Sequence, residues 1–200
     1  MAREKQFREA EVLERVADVF AAHGYQSTSL AMLLDATGLG KQSLYNTFGD
    51  KQALYLKSVE CAVARYASLL AMMQAVPNGR AAVAAYFDSL IGHCDDDPAK
   101  QSCIVTAGLL EGVDDERIAH RLRDKWIGMH EVLRAAVERG QKDGSIRIHA
   151  PSAEMADLLL AVVGGMRVNS RAAMDPQRLQ RTASLALSLL DRDGPVPAPP

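Results

Sequence analysis

The residues from Ser27 to Leu54, STSLAMLLDATGLGKQSLYNTFGDKQAL, predict two short helices joined by a glycine turn. Ser29 is a suitable N-cap for the first helix, because a serine hydroxyl accepts a hydrogen bond from an amide in the first helical turn. Gly38 suits the turn, because glycine readily takes the left-handed backbone that ends a helix. The second helix is predicted from about Gly40 to Phe48. This pattern is typical of a helix-turn-helix.

The second helix has an apolar side and a polar side. Leu44 and Phe48 are expected to pack inward, against Leu33 and Leu34 of the first helix. The polar residues of the second helix are Lys41, Gln42, Ser43, Tyr45, Asn46 and Thr47. On spacing alone, a small helical hairpin with a solvated polar face explains the pattern equally well.

The same polar residues have the chemistry of duplex recognition. Lys41 can donate to O6 and N7 of guanine, and Gln42 can pair with N6 and N7 of adenine in a major groove. The residues suited to phosphate oxygens, which fix register rather than sequence, are Thr28, Ser29, Tyr45, Thr47 and Lys51. The residues alone therefore leave two alternatives open, a helix that reads double-stranded DNA and a helical hairpin with a solvated polar face.

The segment from Gly24 to Leu54 resembles the DNA-binding segment of the TetR family of bacterial transcriptional regulators. The matching residues are Gly24-Tyr25, Thr28-Ser29, Gly38-Leu39, Leu44-Tyr45, Phe48, Lys51 and Leu54. The resemblance implies a homodimer that binds a roughly palindromic operator, with recognition helices about 34–36 Å apart. It also implies repression that is relieved when a small ligand binds a second domain. Departures from the family pattern at Gln42 and Thr47 lie on the reading face and bear on which operator is bound.

The composition is that of an ordinary soluble globular chain, with 48% apolar and 24% charged residues among 200. The longest apolar runs fall short of the ~20 residues that a membrane helix needs. The N-terminal sequence MAREKQFREAEVLE is too charged for a signal peptide, so we expect a cytoplasmic protein. Residues 1–60 hold seven Lys/Arg and eight Asp/Glu. The prediction of DNA binding therefore depends on where donors are placed, because the segment has no basic excess.

The rest of the chain predicts further helices and an all-α fold of about nine helices. We expect an N-terminal three-helix helix-turn-helix domain at residues 1–50, with the recognition helix at about 40–48. A helical ligand-binding and dimerisation domain follows at 51–191, and a Pro-rich disordered tail at 192–200. Helices of the second domain are predicted at about 50–75, 80–92, 102–111, 114–139, 152–172 and 176–191, with a brief extended piece after residue 140.

The last two helices predict self-association. The ninth helix is apolar around its circumference, which indicates burial on more than one side. A second copy of the chain is the simplest cover, as a four-helix seam, although burial within one chain is the alternative. The predicted interface residues are Met155, Leu159, Val162, Met166, Leu185 and Leu189. The resemblance agrees, because the last two helices form the dimer interface in this family.

A ligand pocket is expected among the fourth to eighth helices. The candidate lining residues are Tyr66, Met73, Phe87, Cys103, Ala107, Trp126, His130 and Met166. Apolar and aromatic residues at helical spacing are more often core than ligand contacts. Cys103 opens the sixth helix, and a helix N-terminus lowers a cysteine pKa, so a thiol-dependent redox sensor is an alternative to an inert buried cysteine.

Other function classes find little support in the sequence. An enzyme with Cys103 as nucleophile and His130 or His93 as base lacks a third orienting residue, a phosphate-binding loop and paired carboxylates. The candidate metal cluster of adjacent residues, His93, Cys94, Asp95, Asp96 and Asp97, has poor geometry for one ion. We therefore predict no enzyme activity, no metal and no cofactor. The expected partners are an operator duplex, a second copy of the chain and an unidentified small-molecule inducer, with no membrane. A helical interaction module without DNA binding is the remaining alternative.

Overall fold

The structure, a computed structural model, describes residues 2–92, 103–172 and 175–194. These residues form helices throughout, joined by turns and short loops, which confirms the predicted all-α class. Their nine helices are α1 (Ala2–His23), α2 (Leu30–Thr37), α3 (Lys41–Phe48), α4 (Lys51–Ala75), α5 (Gly79–Gly92), α6 (Ile104–Glu111), α7 (Glu116–Asp143), α8 (Ser152–Arg171) and α9 (Pro176–Leu189).

The packing groups the chain into two compact units. The first unit comprises Met1–Tyr66 and Ser102–Lys125, and the second comprises Ala67–Gln101 and Trp126–Pro200. The division falls within α4 and within α7. The predicted domain boundary after residue 50 stays a prediction.

The first unit has an aromatic core. The Phe20 and Tyr55 rings meet edge to face with centroids 4.8 Å apart, and the Tyr25 and Tyr55 rings do so at 5.0 Å. Gly108 lets α6 approach this cluster, because a Cβ there would overlap the Tyr55 hydroxyl. Such T-shaped pairs add to the stability that burial of the rings supplies.

In the second unit, the start of α5 packs against the end of α7. A Cβ on Gly79 would overlap the Gly140 backbone nitrogen, so the two helices touch through their backbones. The Gly79 N–H donates to the Asp143 carboxylate at 2.9 Å. The Arg80 guanidinium donates to both oxygens of Asp191, at 2.6 and 2.9 Å. These contacts tie the start of α5 to the ends of α7 and α9.

The region around the end of α7 differs in one boundary from the prediction. The predicted end of α7 at residue 139 is too early, because the helix continues through Gly140 to Asp143. Gly140 lies inside the helix and does not end it, and a Cβ on Gly140 would overlap the Ile146 side chain. The brief extended piece is an isolated bridge between Ile148 and Gly194.

Some of the predicted features lie outside the residues that the structure describes. The acidic loop with His93 and Cys94, and most of the predicted tail, lie outside the described residues. Among the described residues, no group of three or more His, Cys, Asp or Glu is placed to hold a metal ion. None of the described helices is both long enough and apolar enough to cross a lipid bilayer.

Candidate nucleic-acid interface

The helix-turn-helix is fixed by short-range hydrogen bonds. Ser29 is the N-cap of α2, and its hydroxyl accepts the Met32 N–H at 3.3 Å. Gly38 ends α2 in the left-handed conformation, with φ of 70°, and its N–H donates to the Leu34 carbonyl at 2.8 Å. The Thr37 hydroxyl donates to the Leu33 carbonyl at 2.7 Å. These bonds confirm the predicted cap and turn.

The α3 helix has the predicted two sides. Leu44 and Phe48 are buried, and Leu33 of α2 is buried with them in the same unit. Tyr45 is half-buried. The exposed residues of α3 are Lys41, Gln42, Ser43, Asn46 and Thr47. A buried apolar side therefore supports a set of hydrogen-bonding side chains that are open to solvent.

The Thr28 side chain faces the protein interior. It is buried, and its hydroxyl donates to the Gly24 carbonyl at 2.5 Å. The hydroxyl therefore stabilises the turn after α1, and a phosphate contact of Thr28 stays a prediction. Ser29, the next residue, is exposed.

Lys51 lies against the loop between α1 and α2. Its Nζ donates to the Gln26 carbonyl at 3.3 Å and stands 4.9 Å from the centroid of the Tyr25 ring. Partial burial lowers the pKa of Lys51, and the Glu111 carboxylate opposes that shift. The Lys51 side chain, which is predicted to contact a phosphate, is thus held in place by residues of its own unit.

The same loop is bound from its other side by Glu111, the last residue of α6. The Tyr25 N–H donates to one carboxylate oxygen at 2.5 Å, and the Gln26 N–H donates to the other at 2.6 Å. Desolvation raises the pKa of the Tyr25 hydroxyl, and the carboxylates of Asp115, Asp50 and Glu111 raise it further. Hydrogen bonds to an ionised acceptor are stronger than neutral ones.

The start of α4 is fixed by carboxylate and amide contacts. Asp50 caps the helix by accepting the Ala53 N–H at 2.8 Å. The Gln52 side chain donates to Asp115 and accepts from Arg117, both near the start of α7. Lys51 therefore lies on a helix end that its own cap and the start of α7 hold in place.

Glu111, Gln52 and Asp115 were missed by the sequence analysis. Their partners are 63 to 86 residues away in the chain, where periodicity gives no information. One weak signal exists for Glu111, because it is the sole charged residue of the largely apolar α6 helix.

The predicted pocket residues divide between the two units. Cys103 and Ala107 belong to the first unit, and the Tyr66 side chain lies outside the described residues. The members in the second unit are Met73, Phe87 and Met166, which are buried, and Trp126 and His130, which are half-buried.

The predicted interface residues also divide by burial. Met155, Leu159 and Met166 are buried within the chain itself, which leaves them little surface for a partner. Val162 and Leu189 are half-buried and Leu185 is 69% exposed.

Comparison with known families decides what this architecture is. The model of the bacterial regulatory proteins of the tetR family matches residues 12–57, which contain α2 and α3. The model of the tetracyclin repressor-like C-terminal domain matches residues 79–186, more than half of the chain. The chain belongs to the TetR family. Members of the TetR family are DNA-binding transcriptional regulators, and the helix-turn-helix of this chain is the DNA-binding motif of such a regulator.

Individual TetR relatives extend over nearly the whole chain. The uncharacterised regulator YezE of Bacillus subtilis is 28% identical, over 96% of this chain and 100% of its own length. The transcriptional repressor ComR of Escherichia coli is 28% identical, over 94% of this chain and 90% of its own. A cysteine mutant of the TetR regulator CifR, solved with a 26-bp operator duplex, has a TM-score of 0.80 at 24% identity, over 90% of this chain and 95% of its own.

Proposed function

We propose that the protein is a transcriptional repressor that binds a palindromic operator as a homodimer and is released by a small molecule. One observation carries the proposal. Leu44 and Phe48 anchor α3, while Lys41, Gln42 and Asn46 stand exposed on it. The relative ComR is named as a repressor, which favours that sign of regulation. The proposed site of action is the bacterial cytoplasm.

The residues of the proposed DNA interface take two roles. Lys41 and Gln42, in the first turn of the helix, contact base edges in the major groove. Ser43 and Asn46 complete the surface that enters the groove. Ser29, Tyr45, Thr47 and Lys51 contact phosphates, which set the register of the protein on the duplex.

A homodimer brings two such helices to one face of the duplex. The exposed side of α8 carries Leu158, which is 43% exposed, and Val168, which is 47% exposed, with Ala161 and Gly165 between them. Small residues between exposed apolar ones permit close helix packing across a two-fold axis. This face, together with Leu185 on α9, replaces the buried Met155, Leu159 and Met166 in the proposed interface.

The dimer proposal is tested by placing a charge in this face. Leu158→Glu is expected to convert the dimer to a monomer in analytical ultracentrifugation, because two glutamates would be buried at the two-fold axis. Leu110→Glu is the control, since Leu110 is 71% exposed on α6 in the other unit. A dimer that survives Leu158→Glu, or one that Leu110→Glu dissociates equally, contradicts the interface.

An apolar cleft in the second unit is the proposed inducer site. It has a volume of about 320 Å³. Its lining residues are Leu70, Met73, Gln74, Ala82, Glu131, Val132, Ala135, Ala136 and Arg139. The lining favours an apolar small molecule with a polar group at the rim. Met73 is the one predicted pocket residue in this cleft, and a role in ligand binding stays a prediction for the other seven.

Modification of the Cys103 thiol is the second candidate signal for release from DNA. Cys103 is the half-buried N-cap residue of α6, in extended backbone. The positive end of a helix dipole stabilises a thiolate and raises its reactivity. Cys103→Ser should abolish release from DNA by aldehydes, quinones or peroxide if this candidate is correct. Unchanged release excludes it.

The proposed function is tested with the promoter next to the protein's own gene. Fluorescence anisotropy should show salt-dependent binding that a scrambled duplex does not match. Lys41→Ala or Gln42→Ala should relax preference at particular base pairs by about 1–3 kcal/mol, whereas Lys51→Ala should weaken binding to all duplexes alike. Equal affinity for promoter and scrambled DNA, or no binding, would favour a helical module without an operator.

A further inference from the structure

We propose that Glu111 is a positioning residue for DNA binding. In this role its carboxylate holds the loop of Tyr25 and Gln26, and that loop holds the Lys51 ammonium where it reaches a phosphate. The inference rests on the proposed function, since it assigns Glu111 a part in operator binding. All four residues belong to the first compact unit.

The contact of Glu111 with the loop is close and two-pronged. Each carboxylate oxygen accepts one backbone N–H, at 2.5 Å from Tyr25 and 2.6 Å from Gln26. Gly24 makes room for this arrangement, because a Cβ on Gly24 would lie 2.9 to 3.0 Å from the carboxylate atoms. Two adjacent amides on an ionised acceptor fix both the position and the orientation of the loop.

The loop in turn contacts Lys51 through the same two residues that Glu111 binds. The Gln26 N–H donates to the Glu111 carboxylate, and the Gln26 carbonyl accepts a hydrogen bond from the Lys51 Nζ at 3.3 Å. The Tyr25 ring lies beneath the same ammonium, with its centroid 4.9 Å from Nζ. If the loop were released from Glu111, the Lys51 ammonium would therefore lose both its hydrogen bond to Gln26 and its contact with the Tyr25 ring.

A positioning role and a simple electrostatic role predict opposite signs. A carboxylate repels DNA phosphates, so its removal alone should tighten binding. If Glu111 positions Lys51, its removal should weaken binding, because an unheld lysine pays side-chain entropy for each phosphate contact. The sign of the change in operator affinity thus separates the two roles.

The test uses Glu111→Gln and Glu111→Asp in the full-length protein. The first removes the charge and replaces one acceptor with a donor. The second keeps the charge but shortens the side chain by one methylene. Each variant should bind the operator about fivefold more weakly, and the slope of log affinity against log salt should fall by roughly one. Glu116→Gln, an exposed carboxylate at the start of α7, is the matched control and should bind equally or more tightly.

A double-mutant cycle with Lys51→Ala shows whether Glu111 acts through Lys51. In that background, Glu111→Gln should change operator affinity less than about twofold. Unchanged or tighter binding by Glu111→Asp and Glu111→Gln would overturn the proposal, as would a weakening that persists fully without Lys51. Wild-type protein that binds no duplex would contradict the proposed function itself, and thermal unfolding of each variant identifies a loss of fold.

Discussion

Gly24→Ala offers a quantitative test of the packing between α6 and the loop after α1. Gly24 has φ of 81°, a left-handed conformation that costs an alanine roughly 1–2 kcal/mol. The new methyl would also lie 2.9 Å from one Glu111 carboxylate oxygen, so the carboxylate must move off the two amides that it binds. Charge-assisted hydrogen bonds contribute roughly 1.5–3 kcal/mol each, reduced here by partial exposure. We expect a total destabilisation of about 2–4 kcal/mol.

Gly38→Ala is the matched control for this variant. Gly38 also ends a helix of the first unit with a positive φ, of 70°, but a methyl group added there would meet nothing within 4 Å. Urea unfolding should therefore show only the conformational loss of roughly 1–2 kcal/mol. In the Gly24→Ala and Glu111→Ala double variant the losses should be less than additive, because the clash is gone. Equal losses for Gly24→Ala and Gly38→Ala would refute the reasoning.

Three further predictions concern stability in other places. Gly79→Ala should destabilise the protein by about 3 kcal/mol or more, because the new methyl group meets the backbone of α7. Gly128→Ala, which has open space around it, should instead stabilise the protein by roughly 0.5–1 kcal/mol. Thermal unfolding measures both effects. The Arg80 hydrogen bond lowers the pKa of the Asp191 carboxyl, so the stability from this pair is complete above about pH 4 and is lost as the pH falls further. Asp191→Asn should flatten the stability profile in that acid range, and a profile that keeps its slope would contradict the assignment. Thr28→Val should destabilise the protein by about 1 kcal/mol, because the buried hydroxyl loses its hydrogen bond, and should leave operator affinity unchanged. A loss of affinity without a loss of stability would instead indicate that the Thr28 hydroxyl contacts DNA.

The helix-turn-helix was predictable because its signals are local. The Ser29 cap, the Gly38 turn and the buried pair of Leu44 and Phe48 all lie within about twenty residues of one another. Caps and periodicity act over one or two helical turns, so the sequence displays them directly. Local signals did not show that the Thr28 side chain is buried, since a hydroxyl that bonds the carbonyl four residues earlier looks identical in sequence to one that faces solvent.

The long-range part of the site was not predictable. Glu111 meets Tyr25 across 86 residues, and only tertiary packing brings the two together. The apolar face of α8 posed a related problem. Leu158 and Leu159 are adjacent and equally apolar, yet Leu159 is buried in the chain and Leu158 is 43% exposed. Composition alone does not determine which of two apolar faces of a helix meets its own core.

The central claim, that α3 enters the major groove, is tested most directly by site-specific photocrosslinking to operator DNA. A photoreactive residue in place of Asn46, on the exposed side of α3, should crosslink to bases in two half-sites about one helical turn apart. The same residue in place of Leu110, on the exposed surface of α6, serves as the control. Crosslinks from position 46 that match those from position 110, or none at all under conditions of full operator binding, would contradict the claim.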